Sequence, residues 1–146
     1  LRKVLGNRQG IQIVGDRFVF QSEVLFASGS DELAPAGRLQ MAKLGETLKE
    51  ISAGIPSDIN WVLRVDGHTD RIPIKTIQFP SNWELSTARA TNIVRHLVER
   101  KVNPTILRAA GYADMKPKVP NLDSEGKPIP ENRGKNRRVV IKMERY

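Results

Sequence analysis

The segment from Trp61 to Arg89 constrains the fold of this chain more than any other, because a strand pattern runs into a polar loop and then into a marked helix start. Trp61, Leu63 and Val65 alternate with Val62, Arg64 and Asp66, the two-residue period of a strand, and the pattern runs out at Gly67. A strand over 61–66 is predicted, with Thr69 and Asp70 at its end. Ser81 followed three residues later by Glu84 is a capping box, the Ser hydroxyl accepting one orphan amide of the first turn and the Glu side chain reaching back to another. The helix therefore starts near Ser81, and Arg89 lies about two turns in. If helix and strand pack together, one carboxylate and one guanidinium face the same mouth. Spacing alone supports two readings of Asp70 and Arg89 equally, a ligand site and a structural salt bridge.

The flanking segments supply the rest of a sheet and a second helix. Ile11-Gln12-Ile13-Val14, Gly15-Asp16 and Arg17-Phe18-Val19-Phe20-Gln21 read as two short strands joined by a two-residue turn. Val24-Leu25-Phe26 leads into the small, polar run Ala27-Ser28-Gly29-Ser30-Asp31, either a plain strand-to-helix connection or a loop whose backbone approaches a ligand. From Pro35 the apolar positions Met41, Leu44, Leu48 and Ile51 recur at helical spacing until Gly54 and Pro56. The second helix presents Ala90, Ile93, Val94, Leu97 and Val98 on one face. Asn103-Pro104 predicts a helical turn through about Arg108, and Ala109 to Tyr112 a short strand or turn. Residues 113–135 hold four prolines without periodicity and read as a long surface loop. Residues 137–143, β-branched at their centre, close the sheet.

These elements imply one domain of the α/β (α+β) class, a two-layer sandwich with a mixed β-sheet and two long helices on one face. Residues 1–9 read as a linker or the end of an upstream helix, and residues 10–146 as the domain. No apolar run approaches the roughly 18 residues that span a bilayer. The chain opens Leu1-Arg2-Lys3 without an initiator Met or signal pattern, which predicts a fragment from which a targeting segment has been cut.

Composition narrows the function classes. Without cysteine there is no disulfide framework and no thiolate chemistry. A net charge of +8 favours an acidic partner, but aromatics make up only 5% of the chain, against the stacking platforms of single-strand nucleic-acid grooves, so no nucleic acid is expected. Asp66, His68 and Asp70 would share a face of an extended strand and so suggest a divalent metal. Gly67 argues against continued extension, and nothing completes a coordination shell. His68 reads as a packed structural residue and His96 as a partly exposed helix position. No phosphate-cradling Gly-rich loop or nucleophile elbow accompanies Asp70, so an enzyme is the weaker reading and no catalytic residue or cofactor is expected.

Ordered motifs add to this. Asp66-Gly67-His68-Thr69-Asp70, then Ser81-Asn82-Trp83-Glu84-Leu85-Ser86 and Ala88-Arg89-Ala90, then Ala110-Gly111-Tyr112 and Asn132-Arg133-Gly134-Lys135-Asn136-Arg137-Arg138-Val139, resemble the OmpA-like peptidoglycan-binding domain over residues 18–143. His68 to Ile74, with Phe79-Pro80 and the residues after it, resemble its MotB-type branch of flagellar stator domains. The resemblance implies non-covalent binding of the wall's peptide stem, Asp70 taking the ammonium of diaminopimelate and Arg89 its carboxylate. Thr69, Asn82, Leu85 and Phe26 correspond to cleft positions, and Asn136 with Arg137 approaches from the entrance of the last strand, where alternation lets only one of Arg137 and Arg138 face inward. It further implies a periplasmic domain tethered to the inner membrane by an upstream segment, a homodimer and a MotA-like membrane subunit as partner. The alternatives are a wall-binding domain of a non-flagellar ion-driven complex or envelope-structure protein and, more remotely, a metal-dependent wall hydrolase. The chain departs from the family in two places. Many relatives carry Asp where Ala27 stands, and the loop 113–135 is longer and richer in proline.

Overall fold

The computed structural model describes residues 11–14 and 17–145. The expected linker 1–9 and the turn residues Gly15 and Asp16 lie outside them. The elements are β1 (Ile11–Val14), β2 (Arg17–Gln21), α1 (Ser22–Leu25), α2 (Pro35–Gly54), β3 (Trp61–His68), α3 (Asn82–Glu99), β4 (Leu107–Gly111), α4 (Arg133–Asn136) and β5 (Arg138–Arg145). The strands form one mixed sheet in the order β1-β2-β5-β3-β4, as the two-layer reading anticipates. β1 and β2 pair as the expected hairpin, and β3 runs antiparallel to β5 but parallel to β4, with α3 as the crossover.

Side-chain alternation sends Phe18 and Phe20 of β2, Leu63 and Val65 of β3 and Val139 and Ile141 of β5 to the helical face, where they meet Met41, Leu44 and Leu48 of α2 and Ala90, Ile93 and Leu97 of α3. Burying each of the larger side chains contributes roughly 1.5–3 kcal/mol. Two glycines set the distance between the layers. A Cβ on Gly67 would lie 2.3 Å from the Ser86 carbonyl oxygen, and one on Gly111 2.2 Å from Thr87 Oγ1, so α3 lies almost directly on the β3–β4 pair. Ser86, itself buried, accepts a hydrogen bond from the Ala113 amide at 3.1 Å and fastens the helix to the chain beyond β4.

Several expectations are corrected. β3 does not stop at Asp66 but continues through Gly67 to His68, because the ladder with β5 extends to the His68–Arg138 pair. Val24 and Leu25 sit in a single helical turn rather than a strand, and Phe26 forms a lone bridge with Leu33. The turn at Asn103 covers only residues 104–106, so Arg108 is already in β4. Val98 turns outward and is 38% exposed, while Leu85 joins the buried face in its place. The Ser81 hydroxyl accepts from the Trp83 amide at 3.1 Å and donates to the Glu84 carboxylate, so Glu84 completes the cap through the hydroxyl. That hydroxyl first, and the backbone of Glu84 and Ser81 after it, hold the Glu84 carboxyl below the usual carboxylate range.

Candidate functional site

The end of β3 and the flank of α3 build one mouth. Just past His68 the Thr69 amide donates to the Ala113 carbonyl at 2.8 Å, and Thr69 Oγ1 donates to the Asp70 carbonyl at 2.8 Å. These bonds aim the Asp70 carboxylate. Its Oδ1 accepts the Ile72 amide at 2.9 Å and its Oδ2 accepts Arg137 Nη1 at 2.7 Å. A carboxylate has about four acceptor positions, so Asp70 keeps room for further donors.

Arg89 faces the same mouth from α3 and is only 6% exposed. Its Nε donates to the Ser30 carbonyl at 2.8 Å and its Nη2 to the Ala27 carbonyl at 3.2 Å, while the guanidinium carbon lies 4.9 Å from the centre of the Phe26 ring, a cation–π contact. The loop that supplies these carbonyls is itself held. Gly29 takes the left-handed backbone conformation at φ 67°, and Asn92 Nδ2 donates to the Asp31 carbonyl at 2.8 Å and to its carboxylate at 3.0 Å. Ala27 thus contributes through its backbone carbonyl. Burial draws the Arg89 guanidinium down to about 10, with Arg137 adding to the effect and Asp31, Glu23 and Asp70 opposing it. It remains a cation at neutral pH. Among the described residues no carboxylate lies within ion-pair range of it. The structural salt bridge between Asp70 and Arg89 does not form; the cation on Asp70 is Arg137.

Between these groups lies a cleft of about 530 Å³. Of the eight residues anticipated from sequence, Asp70, Arg89, Thr69, Asn82, Leu85, Phe26 and Arg137 line it. Asn82 Nδ2 donates to the Ile72 carbonyl at 3.0 Å and so fixes the loop of Ile72, Pro73 and Ile74, which forms an apolar wall unforeseen from sequence. Asn136 departs from expectation. It is buried away from the cleft, where its Oδ1 accepts the amides of Lys118 and Val119 at 2.9 and 3.0 Å and its Nδ2 donates to the Val119 carbonyl and Asn121 Oδ1. It anchors the long loop. Arg137 and Arg138 part company: Arg137 turns to Asp70 and, at 3.9 Å, to Glu23, whereas Arg138 donates to the carbonyls of Asn136 and Lys116. Glu23 and Arg133 also line the cleft. The four-residue spacing of Arg133 and Arg137 was the available signal, since it puts both on one side of a helical turn.

The opposite face of β3 is a separate charged layer. Arg64 Nε donates to both oxygens of Asp66 at 3.0 Å, and its Nη1 reaches Glu144 at 2.9 Å. Burial raises the Asp66 carboxyl, and Arg64 opposes that rise. His68 is buried and stacked on Tyr112, with ring centroids 5.0 Å apart and planes 7° from parallel. Burial, with Arg138 and Arg64 assisting, lowers its pKa to about 4. Among the described residues no group of three or more His, Asp or Glu side chains is placed to hold a metal. Asp66 faces Arg64, not Asp70.

Comparison with known proteins converges on one group. The OmpA family model matches residues 25–131. Motility protein B of Bacillus subtilis is 42% identical over 78 residues, which are 53% of this chain and 28% of that protein. The chain thus spans less than a third of that relative's length. Among solved structures, a MotB-like protein from Desulfovibrio vulgaris superimposes with a TM-score of 0.81 at 30% identity, covering 99% of this chain and 87% of that one. The cell wall anchor of the type VI secretion system (T6SS) from Pseudomonas aeruginosa gives a TM-score of 0.77 at 27% identity, covering 100% and 97%.

Proposed function

The chain belongs to the OmpA family, on its MotB-like side, and from that premise we propose that the cleft between Asp70 and Arg89 binds peptidoglycan non-covalently and anchors a membrane protein to the cell wall. One observation carries the reading. Arg89 is a buried cation, pinned by two backbone carbonyls and without a carboxylate partner among the described residues, and it shares a cleft with a carboxylate that is equally fixed. Holding an uncompensated charge in such a place is costly, and a ligand carboxylate relieves that cost. The free end of diaminopimelate carries an ammonium and a carboxylate on one carbon, so it offers a cation to Asp70 and an anion to Arg89 together. Each charge-assisted hydrogen bond contributes about 1.5–3 kcal/mol. Arg suits the role better than Lys because its planar fork keeps donors for the ligand after two have gone to the loop. Thr69 and Asn82 hold the Asp70 side of the mouth, Phe26 and Leu85 give it an apolar floor, and Arg137 keeps the Asp70 carboxylate aligned.

On this reading the domain is a tether and makes or breaks no covalent bond. It stands in the periplasm, with a membrane segment upstream, a MotA-like subunit beside that segment and a second copy of the chain forming a homodimer. A second setting for the same cleft is a non-flagellar wall anchor, favoured by the full-length likeness to the secretion-system anchor. An acidic residue within an upstream transmembrane helix identifies the motor setting, and a lipoprotein cysteine the structural one.

The test is co-sedimentation with purified, protein-free sacculi. The parent pellets with the wall, whereas folded Asp70→Ala and Arg89→Ala, verified by thermal melting, stay in the supernatant. A parent that fails to pellet, or variants that pellet as well as the parent, refutes the assignment.

A further inference from the structure

The cleft holds more positive charge than a zwitterion can use. Arg89, Arg133 and Arg137 line it against only two carboxylates, Glu23 and Asp70. Arg137 is already engaged by both carboxylates, at 2.7 Å from Asp70 and 3.9 Å from Glu23. Arg89 is the cation assigned above to the diaminopimelate carboxylate. That leaves Arg133, half-buried at the start of α4, whose side chain makes no hydrogen bond or ion pair among the described residues. Beside it Gly134 presents no side chain, and its position next to Glu23 and Arg137 Nη2, 3.4 and 3.5 Å from where a Cβ would stand, places Arg133 on the same edge of the cleft as those two groups.

We infer that Arg133 forms a second anion subsite, which reads a further carboxylate on the wall peptide next to diaminopimelate. The chemistry identifies that group. Glutamate joined to diaminopimelate through its γ-carboxyl leaves its α-carboxyl free, and amidation of that carboxyl removes the charge while keeping the shape. Arg133 therefore makes the site selective for peptides with the free acid. The inference rests on the peptidoglycan reading of the cleft.

The probes are the tripeptide L-alanyl-γ-D-glutamyl-meso-diaminopimelate and its glutamate α-amide, titrated calorimetrically into the parent, Arg133→Gln and Arg133→Lys, each checked for folding by its melting curve. The parent is expected to favour the acid over the amide by roughly three- to tenfold, the range of a charged hydrogen bond in a half-exposed cleft. That ratio falls to near one in Arg133→Gln and is partly regained in Arg133→Lys, and it shrinks as salt is raised. A parent that binds both peptides equally overturns the subsite and leaves the peptidoglycan reading intact. A preference that persists in Arg133→Gln assigns the discrimination to another group and also overturns it. A parent that binds neither peptide overturns the peptidoglycan reading, and the subsite falls with it.

Discussion

Replacing Gly67 by Ala should damage the cleft from beneath without touching any group that faces a ligand. The added methyl would sit 2.3 Å from the Ser86 carbonyl oxygen and 3.4 Å from Ser86 Cα, so α3 must retreat by about 1 Å to restore ordinary contact. It cannot retreat freely, since Thr87 rests on Gly111 and Ser86 accepts the Ala113 amide. Overpacking of this kind costs about 1–3 kcal/mol, which for a domain of this size lowers Tm by about 2–12 °C. Leu85 and Arg89 flank Ser86 on the same helix and move with it, while Asp70 stays with the sheet. A binding pair tolerates errors of about 0.5 Å, so affinity for sacculi should fall roughly tenfold or more even where the variant is fully folded. The assay pairs differential scanning calorimetry with sedimentation below the transition, using Gly54→Ala as control, because a Cβ at Gly54 meets nothing within 4 Å. If Gly67→Ala melts and binds like Gly54→Ala, close helix–sheet contact does not set the geometry of the mouth.

Two further outcomes follow from groups away from the cleft. His68 has a folded pKa of about 4, below its unfolded value of 6.5, so its contribution to stability is fully present above about pH 6.5 and is lost as pH falls toward 4. The loss is on the order of 2–3 kcal/mol, and His68→Phe, which keeps a ring against Tyr112, should flatten the pH dependence of Tm across that window. An unchanged slope would show that His68 is not the titrating group. Asn136→Ala removes four hydrogen bonds between its side chain and the long loop, which should cost roughly 2–4 kcal/mol and speed proteolytic cleavage between residues 116 and 121. Cleavage at the parental rate would mean the loop is held by other contacts.

Local rules carried much of the architecture. Pro35 and Gly54 bracket α2 because helix starts and stops are decided by backbone chemistry within a few residues, and Ser81 marks α3 for the same reason. The meeting of Asp70 and Arg89 at one cleft was legible because the strand-end pattern at Thr69 and Asp70 and the helix-start signal at Ser81 follow one another in the chain, and a helix that packs on the strand it follows brings the two ends to one mouth. What stayed hidden depended on partners distant in sequence. Gly67 and His68 read as a strand's exit, and it is register with strands distant in sequence, β4 at Gly67 and β5 at both residues, that keeps them extended. Asn136 and Arg137 are adjacent and equally polar, yet one is buried under the long loop and the other points at Asp70, a choice made by the turn at Arg133–Asn136. Glu23 reached the cleft because the single turn of α1 rotates it there, and its surroundings gave no helical periodicity to announce that.

The position of Asp70 has a mechanical consequence. It follows two residues after the end of β3, and β3 is flanked on both sides, by eight register pairs with β5 and five with β4. A pull on a ligand held at Asp70, directed along that strand, loads these two ladders in shear, so many hydrogen bonds must yield together. A site at the end of an edge strand pulled across the sheet would let them open one at a time. On the proposed reading of the domain as a wall tether, placing the anion at the tip of an interior strand turns the sheet into the member that bears the tension.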